Sequence, residues 1–68
     1  MEEVAVGERG IRLGQLLKLA GLVESGGSVK ILLAEASVEV NGRSETRRGA
    51  QLKRGDNIRC GEHRIRLT

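Results

Sequence analysis

Residues 38–56 read VEVNGRSETRRGAQLKRGD, and this stretch decides the fold. Valine and glutamate alternate at positions 38–40, which is typical of a strand with one buried face. The next residues, Asn41 and Gly42, are a strong short signal for a β-hairpin, because both positions of a type I′ turn need a positive φ. The stretch therefore predicts a strand that ends in a tight turn.

The second half of the same stretch is polar and basic. Arg47, Arg48 and Gly49 indicate a basic loop, and residues 53–56 indicate a turn, with Leu52 as the apolar anchor between them. Guanidinium groups match the geometry of phosphate oxygens, so Arg47 and Arg48 are the first candidates for phosphate contact. The alternative is an ordinary solvated loop tip.

Toward the C-terminus, apolar and basic residues alternate again, which predicts a second hairpin. A two-residue turn at residues 61–62 would place Arg59 opposite Arg64, and like charges opposed in this way cost stability unless an anion or a carboxylate lies nearby. The same register predicts a buried face of four residues: Ile58, Cys60, Ile65 and Leu67.

The N-terminal half has the spacing of helices. Residues 2–6 indicate a weak edge strand, and the period changes from Ile11 onward. The first helix would bury Leu13, Leu16, Leu17 and Ala20, and Gly21 would end it. Ser25 is the predicted N-cap of a second helix. Ile31 lies off the apolar stripe of that helix. That stripe is formed by Val29, Leu32, Leu33 and Ala36.

Length and composition limit what the chain can do. Its 68 residues are enough for one domain, and without Phe, Tyr or Trp the core must consist of Leu, Val, Ile and Ala. There is little room for a deep catalytic pocket, so we expect a protein that is not an enzyme and has no cofactor. Cys60 and His63 have the spacing of two metal ligands, but the sequence lacks a second pair, so we expect no metal site.

Cellular context is indicated by what the sequence lacks. A single cysteine forms no intramolecular disulfide, and no apolar run has the length of a signal peptide or a membrane span. We therefore expect a cytoplasmic monomer that does not associate with membranes.

Positive charge is concentrated in the C-terminal part. Residues 1–42 carry four basic and six acidic side chains, whereas residues 43–68 carry eight basic and three acidic ones. Segregation of this kind favours a polyanionic partner. Because the chain has no aromatic residues, it cannot stack bases on a sheet platform of aromatic rings, and recognition would depend on shape and phosphate contacts.

Several short motifs, taken in order, carry a family resemblance. They are LGQLLKLAG at residues 13–21, ESGG at 24–27, Lys30, VEVNG at 38–42, ETRRG at 45–49 and GD at 55–56. In this order and spacing the chain resembles the S-four domain, also called the alpha-L RNA-binding domain, and especially the short bacterial proteins that consist of that domain alone. The resemblance covers residues 11 to about 60, and we take residues 1–68 as one domain.

The resemblance implies an α+β fold with two α-helices packed on a small, curved, mostly antiparallel β-sheet. It further implies RNA binding by the first helix, the start of the second and the loop after the hairpin. The partners would be structured ribosomal or transfer RNA, or ribosomal particles, in ribosome assembly or translation. The implied RNA-binding residues are Arg12, Lys18, Lys30, Arg43, Arg47 and Arg48, with Lys53 and Arg54 extending the surface.

Two features depart from the common family pattern. Many members open the second helix with Ser-Arg, whereas Ser25 is followed here by Gly26 and Gly27, which removes one cation. A glycine usually closes the second helix, and this chain has Ala36 there. A different class of function also stays open: a protein-interaction module that docks a partner on the apolar surface around Leu19 and Ile31.

Overall fold

A computed structural model describes residues 1–35 and 38–68. These described residues form two helices and seven short strands. They are, in chain order, β1 (Glu2–Val4), β2 (Ile11–Arg12), α1 (Leu13–Leu19), α2 (Gly26–Glu35), β3 (Val38–Val40), β4 (Arg43–Ser44), β5 (Gln51–Leu52), β6 (Asn57–Cys60) and β7 (His63–Leu67).

The strands form two sheets. Five of them lie in the order β1-β7-β6-β3-β4, in which β1 runs parallel to β7 and all other neighbours are antiparallel. The strands β2 and β5 form a separate antiparallel pair. The predicted α+β class, with two helices on a mostly antiparallel sheet, is confirmed.

The hydrophobic core lies between the helices and one face of the larger sheet. Strand β6 pairs with β7 so that Ile58 lies opposite Ile65 and Arg59 opposite Arg64, which confirms the register predicted from a two-residue turn. The buried face of this hairpin meets the apolar sides of both helices. The fully buried large side chains are Leu13, Leu16, Leu17, Val29, Val38, Ile58, Ile65 and Leu67.

The first helix starts two residues later than the change of period suggests. Ile11 and Arg12 form β2 and pair with Leu52 and Gln51, so α1 begins at Leu13. Such a short strand has no periodicity of its own, and its partner lies far along the chain. The oxygen Oε1 of Gln15 accepts a hydrogen bond from the amide of Arg12 at 3.2 Å, which satisfies one amide before the first turn.

Gly21 ends the first helix, as predicted. Its φ is 76°, and its amide donates to the carbonyl of Lys18 at 3.0 Å. The amide of Leu22 donates to the carbonyl of Leu17, also at 3.0 Å. These two bonds form a Schellman motif, which favours glycine at the left-handed position because a Cβ is costly there.

The second helix begins at Gly26, directly after its predicted N-cap. The hydroxyl of Ser25 accepts a hydrogen bond from the amide of Ser28 at 3.4 Å, as an N-cap residue does. Val29 and Leu33 face the core, and Ile31 is 59% exposed. The expectation concerning Ala36 lies outside the described residues.

A buried carboxylate joins two turns at one end of the sheet. Asn41 and Gly42 have φ values of 53° and 82°, which confirms the predicted turn with two positive angles. The side chain of Asn41 donates to one oxygen of Asp56 at 3.0 Å, and the amide of Lys53 donates to the other at 2.9 Å. Asp56 is 7% exposed, so these bonds satisfy a charge that would otherwise be costly to bury.

Candidate nucleic-acid interface

The basic loop at residues 45–49 is attached to the start of α1. The amide of Gly14 donates to the carbonyl of Arg48 at 2.8 Å, and the amide of Leu13 donates to the carbonyl of Ala50 at 2.9 Å. A Cβ at position 14 would lie 3.3 Å from that Arg48 oxygen, which is tighter than ordinary contact. The backbone of Arg48 is therefore fixed against the helix, while its side chain stays exposed.

A cationic groove lies between α1 and this loop. Its volume is about 310 Å³, and three basic residues line it: Arg12, Lys18 and Arg48. Gln15 contributes an amide on the same side of the helix. The groove is open and its charged side chains are exposed, as contact with a long polyanion requires.

A second cavity lies between α2 and the same loop. It has a volume of about 680 Å³ and is lined by Lys30, Leu33, Ala34, Thr46 and Arg48. Arg48 lines both spaces, so Arg12, Lys18, Lys30 and Arg48 form one continuous basic surface, which we call the four-cation surface.

Arg47 is placed differently from its neighbour. Its Nε donates to Oε2 of Glu45 and its Nη2 to Oε1, both at 3.1 Å. The backbone amides of Thr46 and Arg47 also donate to Glu45 Oε2 at 3.1 Å. Within residues 1–35 and 38–68 this is the only ion pair, and Arg47 lines neither cavity. The positive charge of Arg47 is thus paired with the carboxylate of Glu45.

The ion pair gives a prediction for titration. The hydrogen bond from the Arg47 side chain, with smaller help from backbone amides, lowers the pKa of Glu45 from 4.5 to about 2. A lowered pKa means that the pair is intact above about pH 4.5 and is lost as the pH falls through about 2. Arg47→Ala is expected to return the pKa of Glu45 toward its ordinary value, as followed by the carboxyl carbon shift in NMR.

Arg64→Ala is the matched control for this titration, since it removes an exposed arginine far along the chain and should leave the pKa of Glu45 where it is. A wild-type Glu45 that titrates in its ordinary range would contradict the ion pair.

The remaining candidates form a separate group. Arg43 follows the hairpin turn and pairs with Val40. Residues 53–56 form a second turn, in which the carboxylate of Asp56 accepts a hydrogen bond from the backbone amide of Lys53. Because Asp56 also bonds Asn41, the two turns are neighbours at one end of the sheet. Arg43, Lys53 and Arg54 are exposed there and do not line the two cavities.

Two polar residues that line the cavities were not among the sequence candidates. Gln15 and Thr46 face the cavities, but an exposed glutamine on a helix and a threonine in a loop are common. Nothing in their spacing distinguishes them from ordinary surface residues. Their position beside the cavities follows from the attachment of the loop to α1.

The outer face of the sheet also carries arginines. Arg59 and Arg64 are exposed and directly opposed, and Arg66 donates through Nε to Oδ1 of Asn57 at 3.2 Å. Glu39 lies beside Arg59 and Glu3 beside Arg66 in the strand register. Acidic residues thus flank the arginines on this face, whereas no acidic residue lines the two cavities within the described part of the chain.

Exposed apolar residues lie elsewhere on the helices. Leu19 is 64% exposed and Ile31 is 59% exposed. Ile31 also lines a cavity of about 340 Å³ beside Leu22, Val23 and Leu32. The alternative hypothesis, a protein-interaction module, requires an exposed apolar surface of this kind.

Cys60 is part of the core and not of a reactive site. It is 6% exposed, and burial raises the pKa of its thiol, which disfavours the nucleophilic thiolate. No group of three or more potential metal ligands occurs among the residues that the structure describes. Neither helix in that part of the chain has the length and apolar character needed to cross a membrane.

Two helices on a mostly antiparallel sheet, with cations from both helices and one loop around a continuous open surface, are the features of a small polyanion-binding domain. The S4 domain family model matches residues 4–68. The chain belongs to the S4 domain family, which confirms the resemblance seen in the sequence and extends it to nearly the whole chain.

Two bacterial relatives are similar to this chain. The Bacillus subtilis protein RlbA, named as a ribosome maturation protein, is 50% identical over 46 residues. That match covers 68% of this chain and 65% of RlbA, a little under two thirds of the relative's length. The Escherichia coli protein YbcJ, named for RNA binding, is 37% identical over 58 residues, which cover 85% of this chain and 83% of YbcJ.

A solved structure shares the fold. The solution structure of Escherichia coli YbcJ superimposes with a TM-score of 0.76 at 33% sequence identity, covering 100% of this chain and 87% of YbcJ. That structure is described as revealing an alpha-L motif involved in RNA binding.

Proposed function

We propose that this domain binds structured RNA through the four-cation surface. The observation that carries the proposal is the continuity of that surface: Arg48 lines both cavities and joins Arg12 on β2 and Lys18 on α1 to Lys30 on α2. Phosphates spaced along a nucleic-acid backbone match charges that are spaced along a groove. The absence of aromatic residues from the sequence further favours folded RNA, which is held by shape and phosphate contacts.

The RNA we propose is ribosomal RNA in an assembling ribosomal particle, with transfer RNA as the other candidate. The supporting finding is the similarity to RlbA, which is named as a ribosome maturation protein. The domain would act there as a cytoplasmic monomer.

The other basic residues have secondary roles in this proposal. Arg43, Lys53 and Arg54 extend the contact toward the end of the sheet if the RNA is long enough to reach both turns. Arg47 bonds Glu45 through Nε and Nη2, so a phosphate would meet its Nη1, and the paired carboxylate offsets much of its attraction.

Salt dependence tests the proposal. Four cations that each neutralise one phosphate should give a plot of log affinity against log salt with a slope of about −3, using roughly −0.7 to −0.9 per phosphate. The measurement is fluorescence anisotropy with a labelled RNA hairpin over a series of salt concentrations. An affinity that stays flat across the series would contradict phosphate docking.

The protein-interaction module is the second candidate, because two large apolar side chains are exposed on the helices. Ile31→Asp separates the two functions. Under the RNA-binding proposal RNA affinity falls only by the small long-range effect of one added negative charge, because Ile31 does not line the four-cation surface. A variant that binds RNA normally and still fails in cells would favour the second candidate.

A further inference from the structure

The cavity between α2 and the basic loop is chemically different from the groove beside it. The groove is lined by three cations and Gln15, with Val29 and two glycines, whereas this cavity combines two apolar residues, Leu33 and Ala34, with a hydroxyl from Thr46. Two exposed basic residues, Lys30 and Arg48, also line it. Phosphate binding alone would leave its apolar lining unused.

We propose that this cavity receives one unpaired base of the bound RNA. The inference rests on the proposed function, because the four-cation surface must first hold the backbone. It also narrows the RNA class to a helix that carries a bulged or junction nucleotide. A volume of about 680 Å³ falls within the range of roughly 300–1,000 Å³ that is usual for small-ligand sites.

Each lining group has a part in holding a base. Ala34 is exposed and, with the small part of Leu33 that reaches the cavity, offers apolar surface to one face of the base. The planar guanidinium of Arg48 can stack on a base, which is the alternative to an aromatic ring in RNA recognition. The hydroxyl of Thr46 both donates and accepts hydrogen bonds, so it suits the edge of any base.

The attachment of the loop makes this arrangement ready before RNA binds. The carbonyl of Arg48 accepts from Gly14, and the carboxylate of Glu45 accepts from the amide of Thr46. Both residues that face the base from the loop are therefore held through their own backbone. Lys30, on the opposite side of the cavity, is placed to meet the phosphate of the extruded nucleotide.

Three RNA hairpins that share one stem test the inference. The first has a perfect stem, the second carries one unpaired adenosine, and the third carries an abasic nucleotide at the same place. The abasic bulge keeps the flexible backbone but lacks the base. We expect the adenosine bulge to bind about tenfold tighter than either of the others, in the range that stacking of one base provides.

Ala34→Leu is the variant that narrows the cavity, because leucine is larger than alanine and keeps a high helix propensity. It is expected to abolish the tenfold preference. Ile31→Leu is the matched control, since it introduces the same residue on the same helix outside the cavity and should retain the preference. Circular dichroism establishes that both variants are folded.

The outcomes separate this inference from the proposed function. Three equal affinities with a steep salt dependence would overturn the base site and leave phosphate docking in place. An abasic bulge that binds as tightly as the adenosine bulge would overturn it too, by assigning the preference to RNA flexibility. A preference for the adenosine bulge that survives in Ala34→Leu would overturn the base site, because the base would then bind elsewhere. Salt-independent or absent binding to all three RNAs would overturn both proposals.

Discussion

Gly10→Ala is expected to leave the domain largely unfolded at room temperature. Gly10 has a φ of 69°, and a Cβ built there would overlap the backbone carbonyl of Leu52. Because Leu52 pairs with Ile11 in the small sheet, that carbonyl cannot move away without separating β2 from β5. The overlapped group is backbone, so no change of side-chain rotamer relieves the contact.

Two costs add at this position. A residue with a Cβ in the left-handed region costs about 1–2 kcal/mol, and forcing an extra carbon into a packed site typically costs about 1–3 kcal/mol. Together they approach the roughly 3–5 kcal/mol that a core of this size supplies. Urea unfolding followed by circular dichroism measures the loss.

Gly7→Ala is the matched control for Gly10. Gly7 has nearly the same φ, 65°, but a Cβ there meets nothing within 4 Å. The free energy of unfolding of Gly7→Ala should therefore fall only by the conformational cost of about 1–2 kcal/mol. If Gly10→Ala unfolds at the same urea concentration as Gly7→Ala, the close approach to Leu52 does not exist in solution.

The parts of the fold that sequence predicted are those with local periodicity. The C-terminal hairpin follows from strict alternation and a two-residue turn, and the positive φ values of Asn41 and Gly42 follow from residue types that tolerate them. The face of α1 follows from helical spacing. In each of these cases, neighbours in the sequence contain the information.

The parts that sequence could not predict depend on distant contacts. The pairing of β2 with β5 joins two-residue segments too short to show a period. The difference between Arg47 and Arg48 is of the same kind, because adjacent arginines look alike in a sequence. The bond from Gly14 fixes one of them beside the helices, and Glu45 pairs with the other.

Arg48→Glu is expected to weaken binding to structured RNA more than any other single charge reversal in the chain. Arg48 lines both the groove and the adjoining cavity, so its reversal places a carboxylate where the two parts of the four-cation surface meet. A hydrogen bond to a charged group contributes about 1.5–3 kcal/mol, which corresponds to an affinity loss of roughly 10- to 100-fold. The salt slope should become shallower by about one unit.

Arg64→Glu is the control that makes this result specific, because it changes the net charge by the same amount. Arg64 is exposed on the outer face of the sheet, directly opposite Arg59, and a glutamate there replaces a like-charge pair by an attractive one. The loss of long-range attraction is then equal in the two variants, and any difference in RNA affinity measured by anisotropy reports position. Equal losses in both variants would mean that net charge, and not the four-cation surface, holds the RNA.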